Sequence, residues 1–135
     1  MHILSAHRTP EPLRSYVEDA EGRGCAVFIA AAGMAAHLAG AVAALSSRPV
    51  IGVPLDASSL GGLDSLLATV QMPAGVPVAT VALGKAGAGN AAYLALQILA
   101  LGDEELAKRL EKERQKRAAT VLEADQKLQQ ERSGG

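Results

Sequence analysis

Three polar clusters in this sequence hold side chains that could do chemistry. Ser5-Ala6-His7-Arg8 comes first and is followed directly by Thr9-Pro10. His37 stands just behind a turn containing Gly33, and a glycine-rich stretch runs from Gly84 to Asn90. An arginine beside a helix N-terminus offers a phosphate or carboxylate a planar fork of donors together with free backbone N–H groups. An imidazole next to it can carry a proton in either direction near neutral pH. These residue types imply acid–base chemistry on a small anionic substrate, with His7 as the proton carrier. No two histidines share a helical i, i+4 spacing, so this reading involves no metal. Each cluster also has a plainer reading. His7 and Arg8 could be a hydrated surface turn, and His37 a core imidazole bonded to a backbone carbonyl. The glycine stretch GKAGAGN is neither a phosphate-loop pattern nor a dinucleotide fingerprint.

Position is what raises these clusters above their separate weights, because each falls at the end of a predicted strand. His2 to Ser5 reads as the end of a strand, and Thr9-Pro10 as the start of a helix running to about Arg23, where Gly22 and Gly24 stop it. Cys25 to Ala30 reads as a buried strand, Ala31-Ala32-Gly33 as a tight turn, and Met34 to Leu45 as an Ala-rich helix. Pro49 to Pro54 is the next short strand. A helix through about Gln71 follows, with Leu63, Leu66, Leu67 and Val70 on one side at helical spacing. Pro77 to Leu83 reads as another strand, Gly84 to Asn90 as a loop, and Ala91 to Leu101 as a further apolar helix.

Strands that alternate with helices and read as unbroken apolar runs belong to a parallel sheet covered on both faces. The predicted fold class is therefore α/β, three-layered and doubly wound, and ligands of such folds sit beyond the carboxyl ends of the strands. Residues 1–102 form this domain in the reading. Residues 103–132 form a long, mostly charged helix packing on the domain or on a neighbouring subunit through a sparse stripe including Leu106 and Leu110. Ser133-Gly134-Gly135 resembles a linker end.

Composition narrows the function classes. The chain has 135 residues, 49% hydrophobic but 2% aromatic, so its core must be built from Ala, Val, Leu and Ile. A formal net charge of -1 provides no basic stripe for nucleic acid or an anionic membrane. Cys25 is the one cysteine, which fits a reducing cytoplasm. The apolar run from Cys25 to Leu45 is long enough to suggest a membrane span. Its Val27, Phe28 and Ile29 at the front and Gly33 and Gly40 behind read instead as strand, turn and helix. Helices Met34 to Leu45 and Ala91 to Leu101 are apolar nearly all round, so each needs cover on more than one side and a homo-oligomer is expected.

SAHRTP, AAHLAG behind a Gly-containing turn, VIGVP, LDSLLATVQMP and GKAGAGNAA occur in an order that resembles the class I N5-carboxyaminoimidazole ribonucleotide mutases, the PurE family of purine biosynthesis. The likeness runs from Ser5 to about Leu110. It implies a flavodoxin-like subunit of a cytoplasmic octamer that needs no cofactor. The reaction it implies moves a carboxylate from the exocyclic nitrogen of the imidazole nucleotide to carbon 4 of its ring, through CO2 held in the pocket. By this resemblance His7 is the catalytic acid–base residue, Ser5 and Arg8 hold the ribose-phosphate, and Ala6, Ala32, Gly33 and His37 complete the substrate pocket. Ala31, Met34 and Ala39 stand where common family members carry Gly, Gly and Pro.

The family pattern begins with a strand, a Gly-Ser-Asp-Ser-Asp-type loop and a helix ahead of SAHRTP, so the resemblance implies an N-terminally truncated sheet. A start assigned too late, an engineered cut and a native fragment would each account for it. Two other functions stay open beside the mutase: a non-catalytic oligomeric scaffold or inactive fragment, and the related carboxylase that takes free CO2 and aminoimidazole ribonucleotide.

Overall fold

A computed structural model describes residues 1–133. The chain divides into two compact units, Met1–Ile98 and a second from Leu99 onward. Among the described residues the elements run α1 (Pro10–Gly22), β1 (Phe28–Gly33), α2 (Leu38–Leu45), β2 (Val50–Leu55), α3 (Leu63–Val70), β3 (Ala79–Thr80), α4 (Gly84–Ala100) and α5 (Glu104–Ser133).

The strands form a parallel sheet in the order β1-β2-β3, with Phe28 opposite Val50 and Ile51 opposite Ala79. Successive residues of a strand point to opposite faces, so β2 must be apolar throughout if both faces are covered. It is: Val50 to Pro54 are all buried. Val50 joins Phe28 and Ala30 of β1 in a cluster with Leu13, Val17 and Ala20 of α1 and Ala39 and Val42 of α2. Ile51 and Val53 turn the other way, onto Ala91 of α4 with Leu94, Ala95 and Ile98 alongside. Helices therefore flank the sheet on both sides, and the α/β class read from the sequence holds. Truncating Leu13 to Ala in this core would cost about 2–5 kcal/mol.

A core of small side chains lets backbones come close. A Cβ on Gly52 would meet Thr69 Cγ2 at 2.3 Å, so the missing side chain is what seats α3 against β2. The face of α3 that touches the sheet is polar in sequence: Ser65 is 0% and Thr69 2% exposed. Their hydroxyls are satisfied locally, Ser65 Oγ donating to Leu55 O at 2.7 Å and Thr69 Oγ1 to Ser65 O at 2.7 Å. Leu63, Leu67 and Val70 face outward instead, 57%, 47% and 48% exposed. In the first turn of α3, Asp64 Oδ1 is buried without a hydrogen-bond partner, where the helix N-terminus favours a carboxylate.

Several boundaries differ from the sequence reading. His2 to Ser5 is not a strand. The Ser5 N–H is taken by Thr9 Oγ1 at 2.8 Å and the Ser5 carbonyl by the Thr9 N–H at 2.9 Å, so neither group is available to a ladder. Ala31-Ala32-Gly33 is the last half of β1 and not a turn. The turn comes at Met34, whose φ of 58° cannot belong to a right-handed helix, and α2 starts only at Leu38. Pro77 to Leu83 pairs only at Ala79–Thr80, with Val81 N–H reaching Gly52 O at 3.1 Å beyond them. The Gly84 to Asn90 stretch is not a loop: it forms the first turns of α4, and Gly87 is buried there.

The second unit contains α5. Asp103 caps it, its Oδ1 accepting the Leu106 N–H at 3.0 Å, and Glu104 and Glu105 in the first turn complement the helix dipole. No residue of α5 is buried. Ser133, expected in a linker, is its last residue, whereas Gly134 and Gly135 lie outside the described residues. No helix among the described residues is long and apolar enough to cross a membrane, so the run from Cys25 to Leu45 divides into strand, turn and helix.

Candidate active site

Two connections leading into helices build the site. The first, Ser5 to Thr9, is braced at both ends. Besides the two bonds already described, Thr9 Oγ1 donates to Ser5 O at 3.1 Å, and Ser5 Oγ accepts the Arg8 N–H at 3.2 Å. Thr9 thus spends its side chain on the loop and makes no cap to α1. The second connection follows β1. Met34 in the left-handed region turns the chain, and two tight turns follow as Ala36 N–H bonds Met34 O at 2.9 Å and His37 N–H bonds Ala35 O at 2.8 Å. His37 then stands at the N-cap of α2.

These connections meet at the carboxyl end of β1, around a cleft of about 460 Å³. Ser5, Ala6, His7, Arg8, Ala32, Gly33 and His37 all line it. His7 Nε2 and His37 Nδ1 are 2.7 Å apart and hydrogen bonded, with ring centroids 4.8 Å apart and planes at 75°. Both rings are exposed, so the plainer reading of His37 as a buried core imidazole does not hold. Sequence reasoning did not single out Leu4, Leu38 or Leu55, which form the apolar part of the lining together with Ala31, Met34 and Ala35. Nothing in the local pattern marks these three leucines, because their place in the cleft depends on where separate elements converge. The glycine-rich Gly84 to Asn90 stretch, the third cluster, does not line the cleft.

The electrostatics favour an anion. Arg8 is the one permanently charged side chain in the lining, and no carboxylate lines it among the described residues. Among the described residues the guanidinium forms no ion pair. Pro10 and Pro12 have no N–H, so the start of α1 presents fewer backbone donors than an ordinary helix start and the anion falls to Arg8. The arrangement can therefore grip a negatively charged group on one side and exchange a proton through an imidazole on the other.

Residues 1–120 match the sequence model of the family described as AIR carboxylase. The chain belongs to this family. It is 54% identical to the N5-carboxyaminoimidazole ribonucleotide mutase of Bacillus subtilis (strain 168) over 93% of this chain and 78% of that protein. The mutase of Escherichia coli (strain K12) is 54% identical over 91% of this chain and 73% of its own length. The mutase of Saccharolobus solfataricus is 59% identical over 82% of this chain and 68% of its own. Among solved structures, the crystal structure of Treponema denticola PurE superposes with a TM-score of 0.77 at 29% identity. That match covers 92% of this chain and 76% of the other. AIR carboxylase family membership thus agrees with the resemblance carried by SAHRTP and AAHLAG, and the parallel sheet agrees with the flavodoxin-like fold.

Proposed function

We propose that this protein is an N5-carboxyaminoimidazole ribonucleotide mutase of purine biosynthesis, forming 4-carboxy-5-aminoimidazole ribonucleotide without a cofactor. Arg8 and Ser5 hold the ribose-phosphate, while Ala6, Ala32, Gly33 and His37 wall the pocket around the imidazole ring of the nucleotide. The protonated His7 gives its proton to the exocyclic nitrogen as the N–C bond to the carboxylate breaks and CO2 is released. Carbon 4 then attacks CO2, a C–C bond forms, and the now neutral His7 takes the proton that carbon 4 loses. One proton is given and one recovered, so the reaction balances without a further reactant. Short side chains at Ala31, Ala32 and Gly33 suit a pocket that must keep CO2 from escaping.

The observation that carries this reading is the meeting of His7, His37 and Arg8 in one cleft, on a chain 54% identical to a named mutase. The test is to incubate the purified chain with N5-carboxyaminoimidazole ribonucleotide and follow the 4-carboxy isomer, with His7→Asn as control. Wild type should exceed the variant by about 100-fold or more. Equal rates at the uncatalysed background would leave the non-catalytic scaffold. The description of the family as AIR carboxylase makes a parallel assay worthwhile, with aminoimidazole ribonucleotide and CO2 as substrates. Turnover of that pair alone would replace the mutase by the carboxylase.

The outward leucines of α3 support a homo-oligomer, and we place the assembly in the cytoplasm as an octamer. In that assembly α5, which buries no residue of its own, packs through Leu106 and Leu110 on the domain or on a neighbouring subunit.

A further inference from the structure

The contact between the two imidazoles constrains more than their distance. At 2.7 Å between His7 Nε2 and His37 Nδ1, a single hydrogen lies between the nitrogens. Two facing N–H groups would drive their hydrogens together, and two bare nitrogens would oppose lone pairs. One ring must donate and the other accept. A neutral imidazole carries one N–H, so the state of the facing nitrogen determines the state of the other. If His7 donates through Nε2, its Nδ1 is bare; if His7 accepts there, its Nδ1 carries the hydrogen. The tautomers of the two rings are thereby coupled: for Nδ1 of a protonated His7 to give its proton and recover it, Nε2 must keep its hydrogen and His37 Nδ1 must accept it.

The rings are held from independent elements. His7 belongs to the loop closed by Ser5 and Thr9, and His37 to the N-cap of α2 behind the Met34 turn. Neither ring has another side-chain hydrogen bond among the described residues. Arg8 is the only other side chain in the lining that carries charge, again among the described residues. Glu11 in the first turn of α1 and Asp56 just after β2 are the carboxylates nearest in sequence to the lining residues, and neither lines the cleft. No carboxylate therefore competes for the hydrogen shared by the pair.

We infer that His37 is a positioning residue for His7: it fixes the tautomer and ring orientation of His7 and leaves Nδ1 as the nitrogen that exchanges a proton with the nucleotide. The inference rests on the reading of His7 as the acid–base residue, and it assigns His37 a role exerted through His7. A pocket-wall residue touching only the nucleotide would act on binding. A positioning residue acts on turnover.

The test uses the 15N-labelled 135-residue chain at neutral pH. Two-bond 1H–15N correlation spectra are compared for wild type, His37→Ala, His37→Asn and His37→Gln, with the His7 signals assigned from His7→Asn. An asparagine amide stands at the same bond distance from Cβ as His37 Nδ1, whereas a glutamine amide stands one bond farther out. Wild type and His37→Asn should show His7 in a single tautomer, and His37→Ala and His37→Gln the averaged pattern of a free imidazole. On N5-carboxyaminoimidazole ribonucleotide, His37→Ala should lose about 10-fold or more in kcat with KM within about 2-fold, and His37→Asn should recover most of the loss. An unchanged His7 pattern in His37→Ala overturns the inference, as does a raised KM with intact kcat. If wild type turns over no substrate, the spectra still decide the imidazole pair, and the failure belongs to the mutase reading alone.

Discussion

Gly87, in the first turns of α4, lies against the carbonyl group of Ala82: a Cβ at position 87 would stand 1.6 Å from that oxygen and 2.6 Å from its carbon. Both are backbone atoms and cannot swing aside as a flexible side chain would. The obstruction sits where the chain leaves β3 and turns into the helix that covers Ile51 and Val53. Gly87→Ala should therefore destabilise the domain by about 3 kcal/mol or more, at or above the upper end of ordinary overpacking. Thermal unfolding monitored by circular dichroism measures it. A midpoint equal to wild type would mean that α4 does not approach Ala82 this closely.

Met34 presents the opposite case. Its φ of 58° is a conformation that a bulky L-residue occupies only at a cost, and its side chain is 61% exposed at the cleft. Met34→Gly should stabilise the fold by about 0.5–1 kcal/mol, because relief of the strain exceeds the extra chain entropy of glycine. Met34→Ala keeps the strain and should gain nothing. Chemical denaturation of the two variants side by side distinguishes them, and equal midpoints would remove backbone strain from the account.

Ser65 tests the polar seam beneath α3. Its hydroxyl reaches Leu55 O at 2.7 Å and Gly62 O at 2.9 Å in a fully buried place. Ser65→Ala removes the donor without opening room for water, and should cost about 1–2 kcal/mol. A denaturation midpoint unchanged from wild type would show that these carbonyls find other partners.

The outward side of α3 tests assembly. Leu63 and Leu67 are exposed and carry no partner side chain in the core clusters, so charging them should spare the fold. In Leu63→Glu/Leu67→Glu, circular dichroism should match wild type while the mass by light scattering falls from an oligomer towards 13.8 kDa. An oligomer of undiminished mass would mean that the interface lies on another face.

Local signals explain which features were legible. Thr9-Pro10, Gly24 and Asp103 mark helix ends through their own backbone chemistry, and α1 and α5 begin where those residues indicate. The apolar run of β2 announced a strand covered on both sides, because few other environments accept so many adjacent apolar residues. The misreadings occurred where backbone contacts decide that residue types do not reveal. His2 to Ser5 has a strand-like pattern, but a strand exists only with a neighbour, and Ser5 is committed to Thr9. GKAGAGN has poor helix propensity, yet close approach to Ala82 makes glycine the residue that fits there and the helix extends through it.

By itself the sequence determined an α/β chain with an imidazole and a guanidinium side by side ahead of its first helix, because those are properties of neighbouring residues. Only the tertiary structure decided that Nε2 of His7 meets Nδ1 of a histidine thirty positions away, and that α3 turns its serine and threonine inward and Leu63 and Leu67 out. Helical spacing states which residues share a side; where the rest of the molecule lies states which side is buried.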